Sequence, residues 1–266
     1  MYPKLIEIGS FYLPTYGVLV ALGFLAGLAV TVKLARRSGL NPELITNLAV
    51  YVALGGMLGA KLMMIGFDWR DYMAVPSRIF SLETLQAAGV FQGGLILALV
   101  TAFFYMRQQG LPVLGTSDAF APGVAIGHAI GRLGCLAAGC CWGVECDLPW
   151  AVTFHDPVAF GLTGVPLEVG LHPTQLYESV AEFALFLGLF ALYKKPHAPG
   201  RIIGLYLLLS SILRFGIEFL RFHQQPLNAG LSLTQWISIG LGLAGLILVM
   251  RTGSGKPAPN SQPAHA

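Results

Sequence analysis

Charged residues are scarce in this 266-residue chain: Asp, Glu, Lys and Arg make up 11% of it, against about 25% in soluble domains. Hydrophobic residues make up 55%. A chain with so few charges cannot cover a surface that faces water, which excludes an ordinary soluble protein. Basic runs interleaved with aromatic residues are also lacking, which argues against nucleic acid as a partner. Residues 1–14 lack the basic region of a cleavable signal peptide, so the first apolar stretch is expected to remain as a helix.

Seven apolar stretches reach roughly the 20 residues that a bilayer requires. They cover about 15–35, 45–67, 89–107, 118–138, 175–193, 201–221 and 233–251. The sequence therefore predicts an all-α integral membrane protein with seven transmembrane helices. Residues 1–252 are expected to form one transmembrane domain with a loop region at about 139–174, followed by a disordered tail at 253–266.

The distribution of Lys and Arg predicts the orientation of these spans. Nine of the 16 basic residues fall at one set of span ends, and four fall at the opposite set. The richer side is expected to face the cytoplasm, which places the N-terminus outside and the C-terminal tail inside. The remaining three, Lys61, Arg132 and Arg214, fall within predicted spans.

A cation within the bilayer costs about 2.5–3.5 kcal/mol on insertion scales, so such residues usually face a protein interior and serve a function. At 1.5 Å per residue, Arg132 and Arg214 lie about 21 and 20 Å from the cytoplasmic ends of their spans, and Lys61 about 24 Å. All three are therefore expected in the outer half of the membrane. Snorkelling toward the outer interface is an equally good explanation for Lys61.

Helical spacing joins these cations to other polar residues. Three sets share a helix face: Arg214, Glu218 and Arg221; His128, Arg132 and Cys135; Glu178 and Glu182. Two arginines at one depth suit a lipid phosphate, because a guanidinium binds phosphate oxygens through two parallel hydrogen bonds. The alternative for Arg214 and Glu218 is a structural ion pair, and Glu182 is expected to hydrogen-bond a neighbouring helix.

Residues 131–143 (GRLGCLAAGCCWG) are rich in small residues, and all four cysteines lie between positions 135 and 146. The glycines predict close helix contacts and an irregular end to the fourth span. The cysteine spacing fits no zinc pattern, so no metal site is expected. A disulfide from Cys146 to Cys140 or Cys141 and plain small buried residues both remain open.

At these residues the sequence resembles the bacterial prolipoprotein diacylglyceryl transferase family, over the whole chain except the tail. The resemblance is carried by residues 131–143, by 172–178 (HPTQLYE) and by 214–221 (RFGIEFLR). Supporting matches lie at 14–17, 55–59 and 93–95. Three ordered motifs on a seven-span layout make this a specific match.

The resemblance implies an enzyme that moves the diacylglyceryl group of phosphatidylglycerol to the lipobox cysteine of a lipoprotein precursor, with release of glycerol phosphate. It implies a location in the bacterial inner membrane, membrane lipids and the precursor's signal peptide as partners, and no cofactor. Together with the helical spacing, it gives five candidate catalytic residues: Arg132, Arg214, Glu218, His128 and His172. The implied substrate-binding residues are Tyr16, Gln92, Gly93, Gly94, Gly131, Gly134, Gly143, Gln175, Tyr177, Glu178, Arg221 and Lys61.

The sequence departs from the family pattern at five positions. Cys135 and Cys140 stand where many members have Asn and Glu, Gln92 where many have the proposed base histidine, Ser210 where a Tyr is common, and Lys61 where Arg is usual. For the base, His128 ranks first because it lies one helical turn from Arg132, whose charge would keep the imidazole neutral, and His172 ranks second. A secondary transporter and a relative that binds lipid or signal peptide without catalysis are the rival functions.

Overall fold

A computed structural model describes residues 4–8, 11–81, 84, 89–222 and 229–253. Seven long helices form in this part of the chain. They are α1 (Thr15–Arg37), α2 (Pro42–Phe67), α4 (Phe91–Gln108), α5 (Val113–Ala138), α7 (Thr174–Tyr193), α8 (Arg201–Glu218) and α9 (Leu233–Gly253). Shorter helices lie between them: α3 (Trp69–Ala74), a 3-10 helix (Pro76–Phe80) and α6 (Pro157–Thr163). Of the tail predicted at 253–266, Gly253 is instead the last residue of α9, and residues 254–266 lie outside the described residues.

Five of the long helices, α1, α2, α5, α7 and α9, are long and apolar enough to cross a membrane. The other two, α4 and α8, have 18 residues each, and α8 carries Arg201, Arg214 and Glu218. A predominantly α-helical membrane protein is therefore confirmed at this level. Seven complete spans and the orientation of the termini stay predictions.

The prediction for α8 was wrong at its C-terminal end. The helix ends at Glu218, and Arg221 lies beyond it instead of extending the stripe of Arg214 and Glu218. The chain turns there because the segment pairs with another part of the backbone: Val144 N–H donates to the Leu220 carbonyl at 2.9 Å. Arg221 forms a bridge with Gly143 in the same arrangement.

Two small antiparallel sheets, absent from the all-α prediction, accompany the helices. One pairs β1 (Lys4–Ile8) with β2 (Phe11–Pro14), and the other pairs β3 (Val152–Thr153) with β4 (Gly170–Leu171). The second lies within the predicted loop region, where α6 also folds. A hydrophobic cluster holds this region together, formed by Trp142, Phe154, Ala159, Val165 and Leu171.

The chain divides into two compact units, residues 1–34 with 117–266, and residues 35–116. In the first, α1 and α5 pack glycine against glycine. A Cβ atom on Gly27 would lie 2.6 Å from the Gly123 carbonyl oxygen, and one on Gly23 would lie 2.8 Å from that of Gly127. The small residues predicted as helix contacts serve that purpose here, because only glycine allows the backbones to approach so closely.

A buried aspartate holds the start of α8 in the same unit. Asp118 is 1% exposed, and its two carboxylate oxygens accept from Gly200 N–H at 2.7 Å and Ile203 N–H at 2.8 Å. These donors lie at the start of α8, where the backbone N–H groups have no hydrogen-bond acceptor within the helix itself. Asp118 on α5 therefore positions the helix that carries Arg214.

The second unit is a helical hairpin of α2 and α4, again packed through glycines. A Cβ on Gly59 would collide with the Gly93 carbonyl, and one on Gly94 would lie 2.9 Å from the Gly56 carbonyl oxygen. Val90 N–H donates to the Ala60 carbonyl at 3.0 Å and fixes the start of α4 against α2.

Candidate functional site

A single carboxylate, Glu178 on α7, joins the two arginines that the sequence placed together. Its Oε1 lies 2.9 Å from Arg132 Nη2, and its Oε2 lies 3.1 Å from Arg214 Nη1. Glu178 is 3% exposed, so both bonds form away from bulk water. Arg132 comes from α5 and Arg214 from α8, which makes Glu178 the residue on which three helices converge.

A second carboxylate, Glu218, orients Arg214 from the same helix. Its Oε2 lies 2.9 Å from Arg214 Nη2, at the predicted i, i+4 spacing, and 3.7 Å from Arg221 Nη1. The Ser232 hydroxyl donates to Glu218 Oε1 at 2.9 Å. Arg214 is thus held between two carboxylates, which fixes the plane of its guanidinium group.

The ring of His128 is engaged at both nitrogens. Nε2 lies 3.2 Å from Arg132 Nε and 3.2 Å from Glu178 Oε1, and Nδ1 lies 3.4 Å from Glu182 Oε1. The helical spacing predicted that His128 and Arg132 share a face. The sequence also predicted that Glu182 forms a hydrogen bond to a neighbouring helix. Glu178, as a second carboxylate on the ring, was not expected there. Two carboxylates and one guanidinium therefore face the ring of His128.

The arginines keep hydrogen-bonding capacity for a ligand. Each guanidinium offers five N–H donors, and the contacts above use only part of them. The side chains of Arg132 and Arg214 are 15% and 18% exposed, whereas those of Glu178 and Glu182 are 4% and 3%. Because the cations are more accessible than the carboxylates behind them, the arrangement is suited to an incoming anion.

A second group of predicted site residues lies around the start of α7. His172 Nδ1 lies 3.3 Å from the Tyr177 hydroxyl, which accepts from Trp150 Nε1 at 2.8 Å. Gly143 packs directly on His172, since a Cβ there would lie 2.6 Å from the His172 Cβ. Gly143 therefore serves close packing beside His172, and Arg221 pairs with the same glycine.

Gln175, one of the implied substrate-binding residues, makes a hydrogen bond within the protein. Its Nε2 donates to the Cys140 carbonyl at 2.7 Å, and the Thr174 hydroxyl donates to the Cys141 carbonyl at 2.8 Å. Gln175 is 1% exposed, and its Oε1 has no hydrogen-bond partner among the described residues. These two bonds fix the backbone that follows α5.

Three of the four cysteines meet beside Arg132. The Sγ atoms of Cys135, Cys140 and Cys141 lie within 4.8 Å of one another, and all four cysteines are free thiols, so the disulfide considered for Cys146 does not form. Arg132 Nη1 donates to Cys135 Sγ at 3.8 Å. Hydrogen bonds from Cys135 and Cys140 and the charges of Arg221 and Arg132 lower the pKa of the Cys141 thiol.

Tyr16 and two further glycines lie on the α1 and α5 faces of this unit. A Cβ on Gly134 would lie 3.2 Å from the Tyr16 ring, whereas no atom lies within 4 Å of such a Cβ on Gly131. Tyr16 is 40% exposed. Gly134 thus makes room for Tyr16, and Gly131 leaves open space one residue before Arg132.

Four predicted binding residues, Lys61, Gln92, Gly93 and Gly94, belong to the unit of residues 35–116. Gly93 and Gly94 pack α4 against α2, and Lys61 Nζ donates to the Thr84 carbonyl. The Gln92 side chain is exposed in the first turn of α4. Their part in substrate binding stays a prediction.

Sequence reasoning missed the central position of Glu178, which it treated as one binding residue among many. The signal was present as two carboxylates, Glu178 and Glu182, one turn apart in an apolar helix. Asp118 and Thr174 were not singled out, because nothing in their local sequence shows that their partners lie on other segments.

The fold and this site define an α-helical membrane protein with buried arginine–carboxylate pairs arranged around a single glutamate. The sequence profile of the prolipoprotein diacylglyceryl transferases matches residues 3–251. A phosphatidylglycerol–prolipoprotein diacylglyceryl transferase of Clostridium tetani is 32% identical over 249 residues, which is 93% of this chain and 96% of that protein. One of Methylobacillus flagellatus is 32% identical over 259 residues, covering 93% and 95%. The chain belongs to the prolipoprotein diacylglyceryl transferase family.

Proposed function

We propose that this protein transfers the diacylglyceryl group of phosphatidylglycerol to the lipobox cysteine of lipoprotein precursors. The names of its relatives give phosphatidylglycerol and a prolipoprotein as the two substrates of those proteins. The observation that carries the proposal is the pair of arginines, Arg132 and Arg214, held on the two oxygens of Glu178. A pair of partly exposed guanidinium groups suits the phosphate of an anionic lipid.

The reaction exchanges one bond for another at a glycerol carbon. The cysteine thiolate attacks the carbon that bears the phosphate, a C–S bond forms, and the C–O bond to the phosphate breaks. The pair of electrons from that bond leaves with glycerol phosphate, a phosphate monoester. Arg132 and Arg214 stabilise the charge that grows on the leaving phosphate, which is most effective at a site shielded from water. Glu178 and Glu218 hold the two guanidinium groups in place before the substrate arrives.

As acceptor of the thiol proton we propose His172 ahead of His128, which is the reverse of the order that the sequence favoured. Both ring nitrogens of His128 face charged groups, which fits a residue that positions Arg132 and Glu178. His172 is half-buried and its Nδ1 lies 3.3 Å from the Tyr177 hydroxyl. Its Nε2 makes no hydrogen bond within the described part of the chain. We therefore assign proton acceptance to His172 and a positioning role to His128.

The charge bias of the sequence supports a location in the bacterial inner membrane with the site toward the outer leaflet. Nine basic residues lie at the predicted cytoplasmic ends of the spans and four at the outer ends. A secreted precursor and an anionic phospholipid would meet at that outer leaflet.

One assay tests the reaction itself. The purified protein, supplied with phosphatidylglycerol in mixed micelles and a synthetic lipobox peptide, should release glycerol phosphate and increase the peptide mass by one diacylglyceryl group. A peptide with serine in place of the cysteine should release none. Absence of glycerol phosphate with a folded protein would overturn the proposal, in favour of a lipid-binding relative if the peptide still binds and of a transporter if it does not.

The two histidines are separated by a pH profile of kcat/KM. His172→Ala should lower kcat/KM by about 10²–10⁴-fold near neutral pH, the usual contribution of a general base. Without the base, the rate depends on thiolate already present, so the deficit should shrink as pH rises toward the free thiol pKa of about 8.5. His128→Gln should keep the wild-type profile at a reduced rate. The opposite pattern in the two variants would return the base assignment to His128.

A further inference from the structure

Cys135, Cys140 and Cys141 form a cluster of three thiols that the proposed transfer reaction does not use. Their Sγ atoms lie within 4.8 Å of one another, although four residues lie between the first and the second along the chain. The spacing of these cysteines along the chain matches no known zinc-binding pattern, so the sequence did not predict a metal site here. The end of α5 explains why the thiols nevertheless meet.

A tight turn after α5 folds the two later cysteines back onto the first. Gly139 has φ +73°, and Cys140 N–H donates to the Cys135 carbonyl at 3.0 Å. Cys141 has φ +63°, which is unusual and strained for a residue with a side chain. The local backbone thus brings all three side chains to one point.

The start of α7 holds this strained turn in place. Gln175 Nε2 donates to the Cys140 carbonyl at 2.7 Å, and the Thr174 hydroxyl donates to the Cys141 carbonyl at 2.8 Å. Both donor residues are 1% exposed. Buried hydrogen bonds therefore hold the thiols in position before a metal binds. Metal binding then loses little free energy to the ordering of its ligands.

Charge and ligand number point to one kind of cation. Among the described residues, no carboxylate or histidine completes the cluster as a fourth ligand. Zinc in structural sites takes four ligands, whereas thiolates select Cu⁺, which is stable with three sulfur ligands. Three thiolates with Cu⁺ carry a net charge of −2, and Arg132, whose Nη1 lies 3.8 Å from Cys135 Sγ, offsets part of it.

We propose that Cys135, Cys140 and Cys141 form a three-coordinate Cu⁺ site at the end of α5. Binding forms three Cu–S bonds and releases the thiol protons, with no change in oxidation state. The site does not depend on the proposed transferase activity. A filled site would also draw Arg132 toward the thiolates, so Cu⁺ should inhibit transfer wherever that activity is present.

The test is a competition for Cu⁺ under anaerobic, reducing conditions. The full-length protein in detergent is titrated against the Cu⁺ complex of bathocuproine disulfonate, whose loss of absorbance measures the metal transferred. One Cu⁺ should bind per chain. Loss of even an outer-shell partner weakens metal sites by about 10–100-fold, so C135S, C140S and C141S should each lose at least about 100-fold in affinity.

Cys146 provides the matched control because it lies outside the cluster. C146S should bind Cu⁺ as the wild type does, and X-ray absorption of the loaded protein should show only sulfur around copper. A variant that aggregates on size-exclusion chromatography is replaced by its alanine counterpart. The proposal is overturned if the wild type, with four titratable thiols, leaves the chelator fully loaded. Equal loss of affinity in C146S, or nitrogen or oxygen ligands at the metal, would also overturn it.

Discussion

Arg132→Ala and Arg214→Ala should each lower kcat for diacylglyceryl transfer by at least about 10²–10³-fold, the loss seen when one donor to a developing negative charge is removed. Each guanidinium lies on one oxygen of Glu178, so one carboxylate holds the two cations next to each other. In each variant, the arginine that remains cannot replace the donors of the arginine that was removed. Release of glycerol phosphate from phosphatidylglycerol provides the measurement.

Substitution of either arginine by lysine shows how much of the rate depends on the positive charge and how much on the geometry of the guanidinium group. A lysine keeps the positive charge but loses the planar pair of donors, so Arg132→Lys and Arg214→Lys should recover only part of the rate. Arg201→Ala is the matched control, because Arg201 lies exposed at the start of the helix that carries Arg214. Near wild-type rates in both alanine variants, with folded protein, would show that the arginines do not bind the phosphate.

The long helices could be predicted because each needs only a run of apolar residues, and that information is local. The end of α8 could not. Its last turn competes with pairing between Leu220 and Val144, which are far apart in the sequence and meet only in the folded chain. Arg221 was therefore placed on the helix stripe, although it lies beyond the helix.

In the candidate site, too, contacts within one helix could be predicted, whereas contacts between helices could not. The i, i+4 spacing of Arg214 and Glu218 gave the right pair, and the spacing of His128 and Arg132 gave another. Helical spacing cannot show which residue of a third helix faces both, so the role of Glu178 became visible only in three dimensions. The thiol cluster was hidden for a related reason, since its geometry depends on the turn at Gly139 and not on ligand spacing along the chain.

Glu178→Ala should destabilise the protein by about 3–5 kcal/mol, the typical cost of leaving a buried charge without its partner. Glu178 contacts Arg132, Arg214 and His128 at once and is 3% exposed. Its removal leaves two guanidinium groups facing each other without the negative charge between them. Denaturant unfolding in detergent micelles, followed by tryptophan fluorescence, measures the loss of stability.

Two further variants show whether this loss comes from unpaired charge or from lost packing. Glu178→Ala combined with Arg214→Gln removes one of the two arginines that lose Glu178 as a partner, so the double variant should be more stable than the sum of the two single losses predicts. If the loss came from packing, the two losses of stability would be additive. Glu145→Ala is the control, because Glu145 is exposed and such substitutions usually change stability by less than about 0.5 kcal/mol. Additive losses would mean that Glu178 acts as a spacer between helices. A coupled loss, together with abolished transfer in Glu178→Gln, would mean that its charge keeps both arginines in position for the phosphate.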